Sequence, residues 1–126
     1  MLAYLDTSVV VAIRFSQPGA ERFRDALTSF ELYASPLLEA EWRSALRREQ
    51  VEPNLAELEL VQWIFQDRTL SEELERVFKA GYVRGADAWH LATALSLAPD
   101  PSELTFLTLD DRQRPGGLGA RRPTRR

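Results

Sequence analysis

The chain opens with a short apolar run, Leu2–Leu5, followed at once by Asp-Thr-Ser. An apolar run that ends on cap-forming residues predicts a short strand leading directly into a helix. Ser8–Phe15 reads as that helix, and Gly19–Ser29 as an amphipathic one that turns Phe23 and Leu27 inward. Leu32–Ala34 is a second short strand. Ser35-Pro36 then supplies an N-cap and a proline at the first helical position, for a helix running to about Gln50. Pro53-Asn54 opens another helix, which reaches about Phe65. Ser71 is placed to cap a further helix ending near Gly81, and Glu72 and Glu73 in its first turn suit the positive end of the helix dipole. Gly85–Ala98 is apolar nearly all the way round, which predicts a central, buried helix stopped by Pro99 and Pro101. Leu104–Leu109 is the last strand. Strands alternating with helices predict an α/β domain with a small parallel sheet covered on both faces.

The length of 126 residues fits one domain. A composition of 44% hydrophobic and 28% charged residues argues against disorder and against a fibrous repeat. The absence of cysteine excludes a disulfide scaffold, a thiolate zinc site and a cysteine nucleophile together. His90 is the only histidine, so a catalytic imidazole pair and a cluster of histidine ligands are excluded too. Uncharged apolar stretches fall far short of the roughly 20 residues that span a bilayer. The opening MLAYLDTSVVVAIRF lacks the basic start and small-residue cleavage site of a secretory signal, so a cytoplasmic location without membrane attachment is expected. The net charge of -3 hides an asymmetry. Residues 1–111 carry 10 basic and 19 acidic residues, whereas 112–126 add six arginines and no acid. The expected division is therefore a body, 1–111, and an Arg/Gly/Pro-rich tail, 112–126, part of or appended to the same domain. The body repels nucleic acid at long range, and the tail attracts phosphate or acidic partners.

The informative residues are carboxylates set among apolar neighbours. Asp6 directly follows the first strand, and ligand sites of open α/β sheets lie beyond the carboxyl ends of strands. Its bland role is to cap the next helix. Asp110 repeats the arrangement after the last strand. On a helical wheel Glu41 falls within the apolar arc of Leu37, Leu38, Trp42, Ala45 and Leu46, whereas Glu39 lies just beyond its edge. An ionised carboxylate there needs a compensating cation, and the ordinary alternative is a salt bridge to Arg14 or Arg84. Asp87 is the only acid in GADAWHLATALSLA, where it can equally serve the helix dipole. His90 follows at i+3 on roughly the same face and reads as a satisfied packing residue without a catalytic role. Should these acids converge, like charges need a counter-ion. With oxygen ligands alone it is a hard one, Mg²⁺ or Mn²⁺, and such a site suits phosphoryl chemistry.

Four segments, LDTSVVVA, SPLLEAEWRSALRR, DAWHLATAL and FLTLD, stand in the order and spacing of a PIN domain. The chain resembles that family over residues 1–111, and within it the VapC-type toxins of toxin–antitoxin pairs. The resemblance implies an α/β/α sandwich with a small central parallel sheet and a metal-dependent ribonuclease activity. Its acidic quartet falls on Asp6, Glu41, Asp87 and Asp110, and its Thr-x-Asp signature on Thr108-Leu109-Asp110. Thr7 or Ser8 occupies the place of a hydroxyl that supports the metal site. Asp111 follows Asp110, so either could turn inward, and GGLGARRPTRR contains no clear final strand.

The resulting reading is an endoribonuclease that holds one or two Mg²⁺ or Mn²⁺ ions on Asp6, Glu41, Asp87 and Asp110. The resemblance also implies a homodimer, a VapB-like antitoxin that inserts a segment into the acidic groove, and products with 5′-phosphate and 3′-hydroxyl ends. Arg43, Arg47 and Arg84 are the body residues expected to meet RNA. A haloacid-dehalogenase-type phosphotransferase needs a second Asp two residues after Asp6, where Ser8 stands. A receiver domain needs a lysine after its last strand, and Lys79 is not placed for it. The remaining rival is a non-catalytic PIN-like module that only binds RNA or protein.

Overall fold

The strand Leu2–Leu5 (β1) divides its side chains between two apolar cores. In the computed structural model, which describes residues 1–109, Ala3 and Leu5 enter one core and Tyr4 the other. A strand buried on both sides needs helices on both faces, the usual condition of a parallel sheet. Thr7–Arg14 (α1), Glu21–Ser29 (α2) and Leu37–Arg48 (α3) bring Val9, Phe23, Leu38 and Trp42 to the first core. Ser71–Ala80 (α4) and Gly85–Leu97 (α5) bring Val77, Leu91 and Leu95 to the second. The architecture is the α/β/α sandwich that the alternation of elements predicts.

The described strands form one parallel sheet in the order β3-β2-β1-β4, with β2 at Glu31–Ala34, β3 at Val61–Trp63 and β4 at Leu104–Leu107. From β1 the chain winds outward through β2 and β3, then returns to place β4 on the opposite side. In open α/β sheets such a reversal is where ligands bind, which here is at the carboxyl ends of β1 and β4. In this register Leu5 lies beside Leu107, and the Asp6 N–H donates to the Leu107 carbonyl at 3.0 Å. The residues that follow both strands, Asp6 and Thr108, therefore face each other.

The structure corrects the expected helix from Pro53-Asn54 to Phe65. Leu55–Leu58 forms a single 3₁₀ turn, capped by Asn54, whose side chain accepts the Ala56 N–H at 3.1 Å. The chain then extends as β3, with Leu58 and Val61 buried and the Ile64 N–H donating to the Ala34 carbonyl at 2.9 Å. Unpaired groups along β2 offer a ladder that outweighs the helix propensity of Ala-Glu-Leu-Glu. The last strand stops at Leu107 instead of Leu109. Ser71 is the first residue of α4 and Leu70 takes the cap position, whereas the Ser35 hydroxyl does accept the Leu37 N–H at the start of α3, at 3.1 Å. Asp110, Asp111 and 112–126 lie outside the described residues.

Candidate active site

Asp6 sits where β1 ends and α1 begins. Its carboxylate caps α1, accepting the Ser8 N–H at 3.2 Å, so the capping role read from the sequence is real. The same oxygen, Oδ2, accepts the Ser8 hydroxyl at 2.5 Å and the Thr108 hydroxyl at 3.1 Å. Ser8 Oγ in turn accepts the Leu109 N–H at 3.0 Å, which ties the end of β4 to the start of α1. Asp6 is only 2% exposed. Burial raises its pKa above the ordinary carboxylate value, and the hydrogen bonds from Ser8 and Thr108 offset only part of that rise.

Glu41 occupies the second turn of α3, inside the apolar arc but with its side chain 31% exposed. Its Oε1 accepts the Thr7 hydroxyl at 2.7 Å and lies 2.6 Å from His90 Nε2. Burial alone would raise its pKa. The bonds from His90 and Thr7 outweigh burial, and the carboxyl titrates below its ordinary value. The salt-bridge alternatives do not form: Arg14 pairs with Glu57 at 3.3 Å, and Arg84 with Asp87 at 3.6 Å.

Asp87 is half-buried in the first turn of α5, one turn before His90. Thr7 links the two principal carboxylates, since it follows Asp6 in the chain and donates to Glu41. Asp87 does not complete a cluster with them: among the described residues no group of three or more His, Asp or Glu could hold a metal ion. The fourth acid of the quartet, Asp110, and its neighbour Asp111 lie outside the described residues. Arg43 is exposed and pairs with Glu39 at 2.7 Å. Arg43 and Arg47 line a surface hollow towards the far end of α3, which runs away from the strand ends. Arg47 is about 9 Å farther along that helix axis than Glu41.

Sequence reasoning missed the hydrogen bonds that connect His90, Tyr4 and Ser35 to Glu41. His90 is fully buried and hydrogen-bonded, as a packing histidine should be, yet its partner is Glu41. Tyr4 reaches the other ring nitrogen, Nδ1, at 2.7 Å, and Ser35 donates its N–H to the Tyr4 oxygen at 3.2 Å. The i+3 spacing of Asp87 and His90 hinted at a shared face. Nothing in the sequence pairs residue 90 with residues 4 and 41.

Both carboxylates gather their donors on one oxygen. Among the described residues, Oδ1 of Asp6 and Oε2 of Glu41 accept no hydrogen bond, while Oδ2 and Oε1 accept five between them. Carboxylate oxygen is the donor that a hard divalent cation takes, but the described residues bring only Asp6 and Glu41 into one hydrogen-bonded unit and do not by themselves make up a metal site.

A parallel sheet between helices, with Asp6 where its winding reverses and Glu41 tied to the next residue through Thr7, defines an α/β/α sandwich. The family model of the PIN domain matches residues 3–114, and the chain belongs to that family. PIN domains are in general nucleases and typically use divalent metal ions, and PIN nucleases act on RNA. No curated protein and no solved structure matches the chain. None of the described helices is long and apolar enough to cross a membrane.

Proposed function

We propose that the chain is a metal-dependent endoribonuclease of VapC type, the toxin half of a toxin–antitoxin pair. The observation that carries this reading is the buried Asp6, set at the winding reversal of a PIN-family sheet and held, among the described residues, through Oδ2. Asp6, Glu41, Asp87 and Asp110 hold Mg²⁺ or Mn²⁺, with Asp111 as the alternative to Asp110. A divalent cation bound there supplies ionised water at neutral pH and offsets charge on the scissile phosphate. The chain's own contribution is orientation. Among the described residues, Ser8 and Thr108 engage Oδ2 of Asp6 and none engages Oδ1, while Thr7 engages Oε1 of Glu41 and none engages Oε2.

Residues 1–111 form the catalytic domain in this reading, and the arginine-rich 112–126 tail adds phosphate contacts that the acidic body lacks. Exposed Arg43, Arg47 and Arg84 meet the RNA backbone. The protein acts in the cytoplasm as a homodimer. A VapB-like antitoxin silences it through an arginine that pairs bidentately with the carboxylates in place of the cation.

The test incubates the purified full chain with RNA in Mg²⁺, in Mn²⁺ or in chelator, and sequences the product ends. Cation-dependent cleavage leaving 5′-phosphate and 3′-hydroxyl ends is expected, and Asp6→Asn should abolish it. RNA binding with no cation-stimulated cleavage would overturn the reading in favour of a binding module.

A further inference from the structure

His90 lies outside the acidic quartet, and the sequence gives it no work. Its surroundings suggest otherwise. The imidazole is fully buried in α5, with Nε2 2.6 Å from Glu41 Oε1 and Nδ1 2.7 Å from the Tyr4 hydroxyl. Tyr4 is itself fixed. Its ring stacks on Phe106 at 5.4 Å between centroids, and its oxygen accepts the Ser35 N–H. Ser35 anchors the far side, since its hydroxyl accepts both the Leu37 N–H at 3.1 Å and the Trp89 indole N–H at 3.0 Å. One chain of hydrogen bonds thus joins β1, the end of β2, α5 and α3, and terminates on a single oxygen of Glu41.

The polarity of that chain follows from its ends. An ionised Glu41 only accepts, so the proton between it and the ring belongs to Nε2. The buried Tyr4 phenol, neutral at neutral pH, lies at hydrogen-bond distance from Nδ1 and can donate to it. A ring protonated at Nδ1 alone would turn a lone pair toward a carboxylate, which this geometry forbids.

We propose that His90 is a positioning residue for Glu41: its Nε2–H occupies Oε1, fixes the rotation of the carboxylate and leaves Oε2 as the oxygen offered to the cation. Thr7 donates to the same Oε1, so the two donors act together. The inference rests on the reading of Glu41 as a ligand. An outer partner of this kind is worth about ten- to hundredfold in metal affinity.

Because His90 is the only histidine, ¹⁵N-histidine labelling of the metal-free chain yields one pair of ring nitrogens. A protonated Nε2 is expected, and a ring protonated at Nδ1 alone would overturn the proposal. The second measurement is the Mn²⁺ isotherm, followed by electron paramagnetic resonance, for two variants matched in thermal stability. His90→Gln places an amide N–H where Nε2 was, and should bind Mn²⁺ within a few-fold of wild type. His90→Asn keeps a group beside Tyr4 but falls short of Glu41, and should weaken binding about ten- to hundredfold. Equal affinities in the two variants overturn the positioning role alone. A wild-type chain that binds no Mn²⁺ overturns the ligand reading and this proposal with it, whatever the ring tautomer. If neither variant folds, the ring nitrogens of the wild-type chain still decide whether Nε2 serves Glu41.

Discussion

Asp6 and Glu41 are joined through Thr7, yet their pockets treat a carboxylate in opposite ways. The strand-end pocket around Asp6 offers hydroxyls and one backbone N–H and almost no water, and the carboxyl pKa rises. The seam around Glu41, between α1, α3 and α5, keeps some solvent and adds an imidazole N–H, and the pKa falls. At the more deeply buried Asp6 the hydroxyls, the backbone N–H and nearby His90 together do not repay the desolvation of a charge, whereas at part-exposed Glu41 direct hydrogen bonds from an imidazole and Thr7 do. Asp6 is therefore the member of the pair that a cation would relieve, and Glu41 is the member already satisfied without one.

The largest effect that tests this contrast is on activity and metal-linked stability. Asp6→Asn should lower RNA cleavage by at least about 100-fold, since even outer partners of a metal ligand act on that scale. It should also remove the gain in thermal stability that Mn²⁺ gives the wild type, which at 100 times Kd is about 2.7 kcal/mol. Thermal melts with and without Mn²⁺ measure that gain. An Asn variant that is still stabilised by Mn²⁺ to the wild-type extent would break the assignment.

The next effect separates the two acids by sign. In chelator, Asp6→Asn should leave stability unchanged or raise it by up to about 1 kcal/mol, because a poorly solvated charge is removed. Glu41→Gln should lower stability by about 1 kcal/mol, the difference between a charge-assisted and a neutral hydrogen bond. Urea unfolding of the two variants checks this. Shifts of the same sign in both would erase the contrast.

The same opposition should appear in the pH dependence of metal-free stability. A native carboxyl with a raised pKa holds more protons than its unfolded form, so stability falls as pH rises through the interval between the two values. For Asp6 that interval begins at the ordinary value of 3.8 and extends upward. Glu41 has the reverse sense: its contribution is complete above its ordinary value of 4.5 and is lost as pH falls through the lowered native value. The stability difference between wild type and Asp6→Asn should thus move against the wild type with rising pH. The difference between wild type and Glu41→Gln should shrink with falling pH.

The smallest effect calibrates the comparison on the outer face of the helix that bears Glu41. Arg43→Gln breaks a 2.7 Å ion pair with Glu39, but both side chains are well exposed. A change of at most about 0.5 kcal/mol is expected from unfolding curves, because solvent screens an i,i+4 pair. A larger loss would show that exposure is a poor guide to the worth of charges on α3.

Local chemistry made much of this protein legible in its sequence. The run Leu2–Leu5 followed by Asp-Thr-Ser fixes strand, cap and helix together, because an Asp accepts the N–H groups that begin a helix. The all-round apolarity of Gly85–Ala98 forces that helix inside, since no face of it can meet water favourably. The wheel position of Glu41 announces a carboxylate that requires a partner. Which partner it finds was decided elsewhere. Residues 53–65 become an edge strand because β2 presents an unfilled ladder, a demand that exists only after the sheet assembles. Arg14 and Arg84 are spent on Glu57 and Asp87, and the proton donor that reaches Glu41 comes from 49 positions away. Composition and periodicity constrain which faces are buried, but hydrogen bonds of 2.6–2.7 Å depend on where several backbones come to rest. The sequence by itself determined the layers and the acids, and only the packed sandwich decided which oxygen of each acid is occupied.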